Sequence, residues 1–161
     1  MGARGVVSPF AIVGWFAAAG YEQGTKISPN WGTDRGAFGQ RLGTGALRAT
    51  TEGLLSNAVM APVLDEDPRY YRLGPSHKVA ARLAYAITRP LLTRTDSGRT
   101  TVNLSLLSGN LEGSALTNLY YPQQNRGGKQ TFETFAGSLG GSAFGNLFTE
   151  FFGGYFLRLT R

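Results

Sequence analysis

The chain has 161 residues, a net charge of +6 and no cysteine. A chain of this length can bury a core as a single domain, and without cysteine it forms no disulfide, thiolate metal site or cysteine nucleophile. Its basic residues are spread from Arg4 to Arg161, whereas nucleic-acid-binding proteins usually gather theirs on one stripe or helix face. The composition therefore disfavours nucleic acid as a partner. It favours ion pairs or contact with an acidic surface such as anionic lipid headgroups.

The N-terminal region contains the longest uncharged run, residues 5–21. Pro9 interrupts this run and only Arg4 flanks it with positive charge, so we interpret residues 10–20 as a short helix of the fold. A targeting segment with a cleavage site at the alanines of residues 17–19 is the alternative. The mean hydropathy of −0.14 excludes a protein with many membrane spans but leaves peripheral attachment open.

Glycine and proline divide the rest of the chain into four further helical segments, at residues 37–61, 77–92, 103–120 and 131–152. No alternation typical of a strand is sustained anywhere. We therefore predict a single all-α domain over residues 1–161, a compact bundle of about five helices. Residues 1–9 are expected to be a flexible segment or a truncation boundary.

Two details of these helices are also predicted. The spacing of Val79, Leu83 and Ile87 indicates the inward face of the third segment. The pair Gly153-Gly154 is expected to end the last helix.

Small residues recur every fourth position on four of the predicted helices. The last helix has Gly137, Gly141 and Gly145, and the fourth has Gly109 and Gly113 between Ser105 and Thr117. Such spacing lets two helix axes approach more closely than leucine does. We therefore predict small-xxx-small helix crossings, and we expect a leucine at Gly141 to force helices apart.

Three glutamates, Glu52, Glu112 and Glu150, each occur as the only acid in an apolar helical stretch. A buried carboxylate is costly unless it is paired. We interpret the three as partners of arginines on neighbouring helices, which fix the register of the bundle. The alternative is that two carboxylates converge as general acid and base of a small hydrolase, as in glycoside hydrolysis. Together with Asp67, these glutamates are the catalytic candidates.

The remaining polar motifs indicate no metal site or cofactor. His77 is the only histidine, which excludes a site built on paired histidines. The acidic run at residues 65–67 lacks the spaced ligands of an EF-hand loop. We expect its carboxylates to cap a turn and to pair with Arg69 and Arg72.

Several motifs resemble a family of uncharacterised exported bacterial proteins, mainly acidobacterial: "DPRYYRLG", "TRTDSG", "NLYYP" and the closing "FTEFF". The resemblance covers roughly residues 10–152 and implies an all-helical, exported protein of the cell envelope, in the periplasm or outer membrane. The family has no established activity, so it implies no catalytic residues. The motif residues that the resemblance marks, as candidates for binding or for folding, are Asp67, Pro68, Arg69, Tyr70, Arg94, Asp96 and Glu150.

The leading hypothesis for function is a non-enzymatic cell-envelope protein that associates with a membrane or a partner. Both ends of the chain, "SPFAIVGWFAAAGY" and "FFGGYFLRLTR", combine apolar and aromatic residues, and the second adds arginine. That mixture suits a bilayer interface. The expected partners are an anionic membrane surface, another envelope protein or a second copy of the chain. The expected binding residues are Arg69, Tyr70, Arg94 and Asp96. The hydrolase, acting on glycans, is the alternative.

Overall fold

The structure, a computed structural model, describes residues 9–26 and 29–159. Along the chain, three short strands that form one small sheet lie between helices. In chain order the helices and strands are α1 (Pro9–Thr25), α2 (Arg35–Leu54), α3 (Ala61–Val63), β1 (Glu66–Asp67), α4 (Val79–Thr88), β2 (Leu92–Thr95), β3 (Thr100–Val102), α5 (Leu104–Leu116) and α6 (Gly128–Leu159). The predicted helical bundle is confirmed.

The first two helices pack on each other. The described part of residues 5–21 lies in α1, which contacts α2, and Phe16 lies 6.3 Å from Phe38 between ring centroids. The carboxylate of Asp34 caps α2 by accepting a hydrogen bond from the backbone N–H of Ala37. A π-helical segment, Leu55–Met60, joins α2 to α3, so the chain stays helical up to Val63.

The chain between residues 64 and 103 forms a small sheet that the sequence did not predict. In this sheet β2 pairs antiparallel with both β1 and β3, and Leu92 lies opposite Val102. The buried Glu66 in β1 accepts hydrogen bonds from the backbone N–H groups of Leu104 and Ser105. Its negative charge therefore stabilises the N-terminal end of α5.

The inward face predicted for α4 is wrong. Val79, Leu83 and Ile87 are 60 %, 40 % and 51 % exposed, whereas Arg82 and Ala86 are buried. The reason is that α4 packs on α6 through Arg82, whose guanidinium meets a carboxylate there. The ion pair, and not the apolar spacing, decides which side of this helix faces inward.

The small residues of α5 lie at a close crossing with α2 and the π-helical segment. A Cβ built on Gly109 would lie 2.5 Å from the backbone nitrogen of Ser56, and one on Gly113 would lie 2.5 Å from Cγ of Glu52. Only glycine fits this approach, because real Cβ atoms do not come so close to a neighbouring atom.

The small residues of α6 behave differently. Among the residues that the structure describes, a Cβ built on Gly137, Gly141 or Gly145 meets nothing of a neighbouring element within 4 Å. No close crossing occurs there, so the expectation that a leucine at Gly141 would force helices apart is wrong. Gly153 and Gly154 do not end α6, which continues to Leu159. The side chains of residues 155–161, on which part of the expected aromatic terminus falls, lie outside the described ones.

Polar side chains predominate among the fully buried residues, and many large hydrophobic side chains are exposed. Among the described side chains, the buried hydrophobic ones are four alanines and Tyr121, while fifteen polar or charged side chains are buried. Twenty-two large hydrophobic side chains are exposed. Within residues 9–26 and 29–159, no helix is both long enough and apolar enough to cross a membrane.

Candidate functional site

Glu150 of α6 lies at the centre of the most extensive buried network in the described part of the chain. Its side chain has no solvent exposure. The carboxylate accepts hydrogen bonds from the backbone N–H groups of Leu73 and Gly74 (3.0 and 2.9 Å) and from the hydroxyl of Tyr70 (2.9 Å). Gly74 has a φ of +77°, a conformation that favours glycine. The connector before α4 therefore wraps around one side chain of α6.

Two arginines complete this network. Arg82 donates from Nε to the carboxylate of Glu150 at 2.9 Å, and both Arg82 and Arg72 donate to the Glu150 backbone carbonyl. The guanidinium of Arg82 also lies 4.2 Å above the ring of Phe151. Burial alone raises the pKa of Glu150, but the hydrogen bonds from Arg82, Gly74, Tyr70 and Leu73 outweigh it and lower the pKa. The predicted pairing of Glu150 with an arginine of another helix is confirmed.

Glu52 of α2 forms a second buried network. Its carboxylate accepts hydrogen bonds from Ser114 of α5 (3.2 Å) and Ser138 of α6 (2.7 Å), and it pairs with Arg48 at 3.5 Å. Arg48 in turn hydrogen-bonds Ser138. One carboxylate therefore links three helices. Its arginine lies on the same helix, whereas the sequence analysis predicted a partner on a neighbouring helix.

Burial and pairing act in opposite directions on the pKa values of Glu52 and Arg48. Burial raises the pKa of Glu52, and Arg48 with the two serines offsets this only in part. Burial lowers the pKa of Arg48, but Glu52 raises it and leaves it above its usual value. The carboxylate decides the effect on stability at neutral pH, because arginine is charged in both the folded and the unfolded chain.

Replacing Glu52 by glutamine is expected to raise the melting temperature at pH 7. A raised pKa in the folded state means that the stabilising contribution of Glu52 is present below the unfolded pKa, near 4.5, and is lost as pH rises through the folded pKa. The advantage of Glu52→Gln should therefore grow between pH 4 and pH 7 in thermal melts followed by circular dichroism. A melting temperature lower than that of the wild type at pH 7 would contradict this.

Glu112 does not form the predicted pair. It is exposed on α5, on the side away from Gly113, and no hydrogen bond or ion pair is seen at its described side chain. The helix turns its small residues toward α2, which leaves Glu112 facing outward. Glu52 and Glu150 are both buried and have separate sets of partners. They therefore lend no support to a pair of carboxylates open to a substrate.

The other predicted site residues separate into two places. Asp67 lies opposite Arg94 in the sheet and accepts hydrogen bonds from the Tyr71 hydroxyl (2.7 Å) and the Arg69 backbone N–H (3.0 Å). Burial raises the pKa of Asp67, but these hydrogen bonds and the charges of Arg69 and Arg89 together outweigh it and lower the pKa. Asp96 lies in the turn of the hairpin that β2 and β3 form, where its backbone N–H donates to the backbone carbonyl of Asp65.

Tyr70, by contrast, turns inward to Glu150. Burial and the hydrogen bond to that carboxylate raise the Tyr70 pKa well above its usual value. Among the residues that the structure describes, no three His, Asp or Glu side chains come together as a metal-binding group.

Charged side chains are almost absent from the exposed sides of the helices. Apart from Glu112 and Glu133, every exposed charged residue with a described side chain lies in a loop, in the hairpin, or in the first two residues of a helix. The basic ones are Lys26, Arg35, Arg69, Lys78, Arg94, Arg99, Arg126 and Lys129, and the acidic ones are Asp34, Asp65 and Asp96. The helix exteriors therefore carry little charge, and the loops carry an excess of positive charge.

No protein-family model matches the chain, and no curated protein or solved structure shows significant similarity to it. The resemblance to exported bacterial proteins therefore stays a prediction. In the structure, residues of "DPRYYRLG" enclose the glutamate of "FTEFF".

Some partners in the two networks were not anticipated from sequence, among them Arg72 at Glu150 and Ser114 and Ser138 at Glu52. The two serines could have been anticipated, because serine recurs among the small residues on the inward sides of the helices.

Proposed function

We propose that the protein is a non-enzymatic, membrane-associated helical bundle of the cell envelope. The observation that carries the proposal is the distribution of residues: twenty-two large hydrophobic side chains are exposed, whereas serine, threonine, asparagine and ion-paired side chains predominate among the fully buried ones. In water-soluble domains, isoleucine, valine, leucine and phenylalanine are the residues most often buried. Placement in the cell envelope rests on the resemblance of the sequence motifs alone.

The interior is of a kind that holds helices together in an apolar medium. There, burial of leucine gives no advantage, and helices associate through small residues and hydrogen bonds between polar side chains. The crossing of α5 at Gly109 and the contacts of Glu52 with Ser114 and Ser138 are contacts of both kinds. An exterior covered by lipid would also remove its apolar surface from water.

The charges of the loops favour an anionic lipid surface over a neutral one. Eight basic and three acidic side chains are exposed in the loops, in the hairpin and at helix starts. Each lysine or arginine near an anionic bilayer contributes about 1 kcal/mol, and salt screens this contribution. Neutral lipid would leave the positive excess without a partner.

Vesicle co-sedimentation tests the proposal with the full chain. Binding should increase with the fraction of phosphatidylglycerol in phosphatidylcholine vesicles, and at a fixed fraction it should fall several-fold between about 0.05 and 0.5 M salt as the Debye length shortens. Protein that remains in the supernatant with anionic vesicles at low salt would overturn the membrane role and favour a protein partner instead.

A further inference from the structure

Exposed apolar side chains follow one another along α4 and into the hairpin that comes after it. Val79, Leu83 and Ile87 lie four residues apart on the exposed side of α4. Leu91 follows Ile87 by four residues and is exposed in the turn after the helix. The series then continues with Leu92, Val102 and Leu104, which are also exposed. We name these seven residues the apolar ridge.

The register of the hairpin places the last part of the ridge on one side of the sheet. Leu92 lies directly opposite Val102, so both side chains are on the same side, and the buried Thr93 points to the other side. Leu104 follows two residues after Val102, and the backbone N–H of Asn103 donates to Leu91. This hydrogen bond and the pairing of Leu92 with Val102 hold together the turn after α4, the base of the hairpin (Leu92 and Val102) and the start of α5.

Basic side chains lie near both parts of the ridge, and Asp67 lies opposite the one at the hairpin, Arg94. Arg94 lies two residues beyond Leu92 and therefore on the same side of the sheet, and its guanidinium is 5.7 Å from the ring centroid of the exposed Tyr71. Lys78 is exposed immediately before α4. A tyrosine and an arginine beside an apolar strip are the residues that prefer the level of lipid headgroups, where the arginine stem packs on apolar groups and its charge stays hydrated.

We propose that the apolar ridge is the surface that inserts into an anionic lipid bilayer, with Arg94 and Tyr71 at the headgroups. This inference rests on the proposed membrane function and adds to it an orientation: α4 and the hairpin base face the acyl chains. The charge around the ridge favours lipid over a second copy of the chain. If two copies joined ridge to ridge, Lys78 and Arg94 of one copy would lie near Lys78 and Arg94 of the other, and these positive charges would repel.

The test compares a ridge variant with a matched variant elsewhere on the helix exterior. Leu83→Glu/Ile87→Glu places two charges four residues apart on the ridge, and Val59→Glu/Val63→Glu does the same at two exposed valines on the π-helical segment and α3. The ridge variant should bind vesicles of phosphatidylcholine and phosphatidylglycerol about a hundredfold more weakly than the wild type. The matched variant should bind within about threefold of the wild type. Circular dichroism checks that both variants are folded.

A second variant tests the orientation through its charge. Arg94→Gln should weaken binding to the anionic vesicles about fivefold and leave binding to pure phosphatidylcholine unchanged. Equal binding by the wild type and the folded ridge variant, or equal losses in the ridge and matched variants, would overturn the ridge while leaving the membrane function in place. Failure of the wild type itself to bind would overturn the membrane function. If light scattering showed that the wild type is a dimer and the ridge variant a monomer, the ridge would bind a second copy of the chain and not lipid.

Discussion

Glu150→Gln should destabilise the folded protein by about 3–5 kcal/mol at pH 7. The fully buried Glu150 carboxylate accepts hydrogen bonds from four groups, one of which is the guanidinium of Arg82. An amide removes the negative charge that Arg82 requires and faces at least one N–H with its own NH₂ group, so a buried cation and a donor lose their partner. Chemical denaturation followed by circular dichroism measures the loss.

The same carboxylate should make the wild type sensitive to acid. Because its folded pKa is below the unfolded value of 4.5, the stabilising contribution is present above about pH 4.5 and is lost as pH falls through the folded pKa. Glu150→Gln should therefore lose less stability than the wild type when the pH is lowered from 5 to 3. This sign is opposite to the one expected for Glu52.

Glu112→Gln is the matched control, since it makes the same chemical change at an exposed position on α5. It should change the unfolding free energy by no more than about 0.5 kcal/mol. Equal stability of Glu150→Gln and Glu112→Gln would mean that the network around Glu150 contributes nothing to folding.

The helices could be predicted from sequence because glycine and proline mark most of their ends, although not the end of α6. The orientation of the helices could not be predicted. Helical spacing shows that Val79, Leu83 and Ile87 share a face without showing which medium that face meets. The usual assumption, that the apolar side is inside, is wrong for α4 because the chain buries Arg82 against Glu150 there. The hairpin escaped prediction because its strands, of four and three residues, are too short for a visible alternation.

The charged networks could be predicted only in part, and for a similar reason. Buried carboxylates need cations, so arginine partners for Glu52 and Glu150 follow from the sequence. Which arginine, and whether the connector contributes backbone N–H groups, depends on how the chain folds back over α6. Glu112 shows the limit most clearly, because the glycine next to it is buried and its own side chain is not. A difference of one residue on a helix turns a side chain by about 100°.

Gly109→Ala should destabilise the protein by about 1–3 kcal/mol, even though alanine is the better helix former. The added methyl would lie 2.5 Å from the Ser56 backbone nitrogen and 2.7 Å from its Cα, and it would overlap the Ser56 hydroxyl. Backbone atoms of the π-helical segment cannot rotate away as a flexible side chain can, so the two helices must move apart. Weaker contacts across the crossing follow, and thermal or chemical denaturation in buffer or mild detergent measures the cost.

Gly141→Ala provides the control because it adds the same methyl to a helix at a position where, in the described part of the chain, no atom of a neighbouring element lies within 4 Å of the added Cβ. It should leave the protein as stable as the wild type or up to about 1 kcal/mol more stable, through helix propensity alone. Since both changes gain the same propensity, the difference between them isolates the crossing of α5 with the π-helical segment. If Gly109→Ala were as stable as Gly141→Ala, the close approach at Ser56 would not be a property of the folded protein. The polar, glycine-dependent interior, on which the membrane proposal also depends, would then lose its main support.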